Sequence, residues 1–222
     1  MKNIRTKENI YAQMCRCIFG LFIFSFGLYM TVVADIGLAP WDVLAMGLSY
    51  HTPLTYGNAL IAISILVLFG VFLLREKIGF GTIFDAILVG LFVDLFTWMD
   101  LISRDFSMIE SVAVFICGMF IIALGQYFYM SSCQGCGPRD TLLIGLGKRM
   151  KKVPIGVVNT LILCVVLAGG WLLDGPVGIG TLLAAFGLGT ALQFVCKIFR
   201  FEPRDIVHKN IFEALRIMKE KA

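Results

Sequence analysis

Asp42 and Asp140 are the acidic residues whose setting suggests chemistry. Each closes a Gly-x-x-Pro-x-Asp segment, GLAPWD at 37–42 and GCGPRD at 135–140. Gly37 and Gly135 permit backbone conformations closed to other residues. Pro40 and Pro138 suit a first helical position, where no amide donor is needed. An acid just inside a helix faces its positive end. Each segment therefore breaks the chain after a long apolar run and starts a new, short helix. A carboxylate near the centre of a bilayer costs about 2.5–3.5 kcal/mol on insertion scales, so an acid held there needs a partner or a task. The alternative is that both aspartates only cap their helices.

Other polar residues cluster around these breaks. Arg139 stands where the first segment has Trp41. It can bind an anionic group or pair with an acid, although adjacent side chains on a helix diverge. Tyr29 and Tyr127 each lie eight residues before the glycine of their segment. They are candidates to line the same cavity, or members of an interfacial aromatic belt. Thr82 and Thr181 belong to Gly-x-Gly-Thr turns at 79–82 and 178–181. Those turns allow close helix packing or present a substrate-facing surface. The expected substrate-binding set is thus Asp42, Asp140, Arg139, Trp41, Tyr29, Tyr127, Thr82 and Thr181. Gly37, Pro40, Gly135 and Pro138 make the backbone breaks.

Asp85 and Asp94 lie nine residues apart, on opposite sides of one span, and read as solvated near its two ends. Asn58 and Asn159 read as packing or capping residues. Cys133 and Cys136 have a metal-like spacing, but further ligands are missing. The seven cysteines are scattered and odd in number, which is no disulfide framework. No nucleophile–base constellation appears, so no enzyme is expected, and no cofactor or metal.

The elements that must position these residues follow from composition. The 222 residues are 59% hydrophobic and 15% charged. Apolar runs near twenty residues recur, each long enough to cross a bilayer as a helix. The predicted spans are 12–34, 55–74, 79–98, 107–131, 155–173 and 179–198. The short helices cover 41–50 and 139–149, each roughly 15 Å long, half the hydrocarbon thickness. The first run is too long for a cleaved signal peptide and is read as a retained helix.

The two motifs sit inside a longer repeat. Residues 20–48 align with 118–146 with 11 identities, and 57–90 with 156–189 with 12. Glycine, proline, aspartate and threonine recur in fixed order. Each half then has three spans and one short helix, and an odd number of crossings inverts the second half against the first. Basic residues favour six spans over eight. In the six-span arrangement Arg75, Lys77, Lys148, Arg149, Lys151 and Lys152 join the basic tail on the inner side, and Arg104 lies outside. The fold class is an all-α polytopic membrane protein: six transmembrane helices, two half-helices and two inverted three-span repeats. Residues 1–11 form a cytoplasmic N-terminus, 12–99 and 110–198 the repeats, 100–109 the outer connection and 199–222 a cytoplasmic tail. Residues 203–221 pattern as an amphipathic helix on the inner surface.

With these residues laid out, the chain resembles the YczE-like integral membrane proteins, related to the wider YitT group. The resemblance rests on DIGLAPWDVLAMGLS, GFGTIFDAILVG, GCGPRDTLLIGL and GIGTLLAAFGLG, and covers about residues 12–200. It implies a bacterial inner-membrane protein, and some relatives are associated with small-molecule export. It carries over no functional residues. Inverted repeats with broken helices are common among secondary transporters, whose sites lie between the repeats. The expectation is a secondary transporter of a small organic molecule, with export one of the directions open to it. The alternatives are a membrane scaffold or regulator, or a substrate-binding subunit served by a separate ATPase. The partners expected are the lipid bilayer and the small-molecule substrate, with room for a homodimer and none for nucleic acid.

Overall fold

Apolar runs become helices because a chain in hydrocarbon must satisfy its backbone polar groups internally. The computed structural model describes residues 10–102, 105–150 and 152–201. Their elements are α1 (Ile10–Val33), α2 (Pro40–His51), α3 (Tyr56–Leu73), α4 (Phe80–Met99), α5 (Met108–Ser131), α6 (Pro138–Arg149), α7 (Ile155–Leu172) and α8 (Ile179–Ile198). Six of these helices are long and apolar enough to cross a membrane. The remaining two, α2 and α6, are 12 residues each and begin at Pro40 and Pro138. Arg104, Lys151, the N-terminal basic residues and the expected amphipathic helix lie outside the described residues.

The core is the crossing of α1 and α5. Gly20 meets Gly125 and Tyr129, whereas Gly27 meets Gly118 and Ile122. The contacts descend α5 as they ascend α1, so these sequence-equivalent helices run antiparallel. A methyl on Gly20 would stand 2.9 Å from the Gly125 carbonyl oxygen, and one on Gly27 2.8 Å from that of Gly118. Small residues are what let two backbones approach this closely.

The broken segments cross over to the opposite half. Gly37 and Gly135 have φ of 102° and 130°, a region that favours glycine. These turns expose the preceding carbonyls. Gly180 N–H donates to Ile36 at 2.7 Å, and Gly81 N–H donates to Gln134 at 2.8 Å. Each break thereby docks on the Gly-x-Gly-Thr turn of the other half. The short helices follow the same rule, α2 packing on α7 and α6 on α3.

Charged loops sort to two ends. Lys148 pairs with Glu76 at 2.5 Å, and Arg149 Nη2 donates to the Leu74 carbonyl at 3.0 Å. His51 meets Asp174 at 3.2 Å. The 74–77 loop therefore shares an end with 148–149, as six spans require, and the 51–55 and 174–178 connections share the other.

Candidate substrate cavity

A cavity of about 400 Å³ lies among the helices, and all eight contribute to its wall. The volume falls in the usual range for small-molecule sites. Most of the wall is apolar, from Phe24, Leu28, Val89, Ile122 and Leu188 among others. Four of the polar residues come from the two helix starts: Trp41 and Asp42 on α2, Arg139 and Asp140 on α6.

These four reach one place because both breaks point their new helices inward. Asp42 is buried, and its Oδ1 lies 3.6 Å from Nη1 of Arg139. Arg139 thus bridges the two motifs and does not fold back on its neighbour Asp140. Its guanidinium carbon also stands 5.2 Å from the centre of the Trp41 ring, an arrangement that attracts a cation to the π face. Trp41 and Arg139, which hold the same place in the two motifs, therefore meet across the cavity. Asp42 Oδ1 makes no hydrogen bond, and the residues preceding the helices, Ala39 and Gly137, provide no side-chain cap. The Tyr56 hydroxyl, also buried without a hydrogen-bond partner, interacts with Asp42.

The other expected site residues stand elsewhere. Tyr29 packs against Phe26 and Phe96 near the 102 loop, and its hydroxyl accepts from Ile102 N–H at 3.2 Å. Tyr127 stacks on Phe199 with ring centres 4.4 Å apart. Both rings are buried in separate clusters, Tyr29 with Val33 and Phe96, Tyr127 with Ala123, Ala191 and Val195, and neither lines the cavity. Thr82 donates to the Cys136 carbonyl at 2.6 Å and accepts from Gly79 N–H at 3.3 Å. Thr181 accepts from Gly178 N–H at 3.1 Å. Both hydroxyls are used in building turns, and neither lines the cavity.

Several wall residues lacked a repeat signal. Asp85, Gln126, Tyr129 and Asn159 all line the cavity. Asp85 was read as interfacial because it lies within two turns of the start of its span, yet α6 covers that end and encloses it. Its counterpart in the second half is Ala184. Asp94 instead has a structural partner: its Oδ1 accepts from Gly57 N–H at 2.8 Å, and its Oδ2 accepts from the Thr55 hydroxyl. An acid in a membrane span with no counterpart in the repeat was the one legible signal for Asp85.

Comparison with known proteins now adds the family. Residues 11–197 match the Family of unknown function (DUF6198), and the chain belongs to it. The chain is 31% identical over 177 residues to the uncharacterized membrane protein YczE of Bacillus subtilis, covering 79% of this chain and 81% of that one. It is 29% identical over 188 residues to an uncharacterized protein of Haemophilus influenzae, covering 85% of each. It is also 29% identical over 195 residues to the uncharacterized protein YyaS of Bacillus subtilis, covering 86% and 94%. No solved structure matches. The YczE-like resemblance of the sequence is thus that of a membrane family.

Proposed function

We propose that this chain is a secondary transporter of a small organic molecule in a bacterial inner membrane. The observation that carries the reading is the cavity itself: Asp42, Arg139 and Asp140, three of its four charged side chains, come from the starts of both broken helices, between two sequence-equivalent halves. Discontinuous helices aimed at a central site are a recurring transporter device. The antiparallel α1–α5 crossing supports halves related by inversion. The positive-inside rule supports a cytoplasmic location for the end with Arg75, Lys77, Lys148 and Arg149, and for both termini.

On that orientation, the start of α3, where Asp94 binds Gly57 N–H, faces outward, and the start of α7, where a side chain on Gly156 would meet nothing within 4 Å, faces the cytoplasm. Access would alternate as the α3–α4 and α7–α8 pairs trade these conditions.

Purified protein in liposomes tests the reading. Uptake or release of an organic solute should follow an imposed gradient with no added partner or ATP. Asp42→Asn and Asp140→Asn should insert and fold, yet lose most of that flux. Asn is a good capping residue, so two fully active Asn variants would reduce the motifs to architecture. Activity that appears only on adding an ATPase would instead favour a substrate-binding subunit.

A further inference from the structure

We infer that the cavity selects an organic cation: an ammonium head held beside Gly137, with an apolar body along the hydrophobic wall. The inference rests on the transport reading only for its biological use, because the binding it describes needs no transport.

Charge is the first consideration. Asp42, Asp85 and Asp140 line the cavity, and Arg139 is the basic side chain on its wall. Arg139 lies beside Asp42 and within electrostatic reach of Asp85 and Asp140. One guanidinium cannot answer three carboxylates. The amino ends of α2 and α6 offset part of the charge on Asp42 and Asp140, each in a first turn. Asp85 lies deeper in α4 and has no such help. Unanswered charge in an apolar enclosure is costly, so the site favours a ligand that brings positive charge.

Geometry locates the head. Gly137 has an ordinary φ of −58°, which any residue adopts, and its counterpart in the first motif is Ala39. A methyl group placed there would stand 3.0 Å from Asp85 Oδ2, 3.3 Å from the Tyr129 hydroxyl and 3.7 Å from Asp140 Oδ2. Three oxygens from three helices thus converge beside Gly137, close enough that even a methyl group there would crowd them. Tyr129 is 4% exposed, and its hydroxyl has no hydrogen-bond partner. That unpartnered group, on the cavity wall, is a second observation independent of the acids.

The chemistry favours an organic cation over a metal ion. Among the described residues no three His, Cys, Asp or Glu side chains converge to hold a metal. Beyond the three oxygens the wall is largely hydrocarbon, which suits a substituted ammonium carrying an aromatic or aliphatic body.

The test is equilibrium dialysis with the purified full chain in detergent. Benzyltrimethylammonium is the probe, with benzyl alcohol as neutral and benzenesulfonate as anionic comparison. The cation should bind at least about ten-fold more tightly than either, a difference of about 1.4 kcal/mol. Gly137→Ala changes no charge and suits the backbone, yet its methyl would press on the three oxygens and shield them from the head; it should weaken the cation by a similar factor. Asp85→Asn and Asp140→Asn should do the same, whereas Asp174→Asn on the surface should not. Equal binding of the three probes, preference for benzenesulfonate, displacement of the cation by equimolar sodium, or no cation binding at millimolar concentration would each overturn the inference. In liposomes, gradient-driven flux of a neutral or anionic solute would sink the cation while sparing the transporter. Saturable cation binding without flux would do the reverse.

Discussion

The start of α3 and the start of α7 are equivalent in sequence but are packed differently. At the first, Gly57 meets the Gly90 carbonyl, and Asp94 of α4 binds Gly57 N–H and the Thr55 hydroxyl. At the second, a side chain placed on either Gly156 or Gly189 would meet nothing within 4 Å. The α3–α4 pair is among the closely packed helix pairs, and the α7–α8 pair is not. Two substitutions explain the contrast. Gln193 replaces Asp94, and Pro154 replaces Thr55, so the carboxylate and the hydroxyl that form the first joint are both missing from the second. The lesson is that the repeated glycines only permit close approach; the polar latch decides whether it occurs. The consequence reaches the cavity, whose wall on the second side is formed by Asn159 and Gly189 of the loosely packed pair.

The largest expected effect breaks the comparison at the glycines. A side chain on Gly90 would meet Ile61 at 2.6 Å as well as the Gly57 carbonyl. Gly90→Leu should therefore cost about 3 kcal/mol or more through overpacking against backbone, read as a lower thermal midpoint in detergent. Gly189→Leu should leave the midpoint nearly unchanged. Equal losses at both positions would mean that the second pair is as closed as the first.

A smaller effect isolates the latch. Hydrogen bonds to a charged group contribute about 1.5–3 kcal/mol, and Asp94→Ala should lose most of that. Spin labels on α3 and α4 should then report a wider distance at the Thr55 end. Gln193→Ala should change neither stability nor the α7–α8 distance. The smallest effect sharpens the comparison by transplanting the latch. The double variant Pro154→Thr with Gln193→Asp should draw α7 toward α8 for about 1 kcal/mol or less, since two helices must be brought together to form it. A narrowed distribution of α7–α8 label distances is the expected reading, and an unchanged one would show that packing elsewhere holds the pair apart.

Much of this was legible beforehand because it is local. Hydropathy placed six spans within about two residues of the helices observed, since run length and backbone satisfaction in hydrocarbon decide them. Gly37-Pro40 and Gly135-Pro138 placed the two short helices, because a left-handed turn followed by a proline start is a property of those few residues. The repeat announced that the two breaks were equivalent. What tertiary structure alone decided is which side of each helix faces inward. The spans are apolar nearly all round, so no hydrophobic stripe marks a core face. Tyr29 and Tyr127 were therefore candidates for the cavity yet pack in aromatic clusters, whereas Asp85, read as interfacial, and Tyr129, which nothing in the sequence singled out, meet beside Gly137. Likewise, nothing local says that Ile36 will bind Gly180, or Gln134 bind Gly81, across the halves. Those contacts join residues far apart in the chain, and only the antiparallel crossing of α1 and α5 brings them within reach.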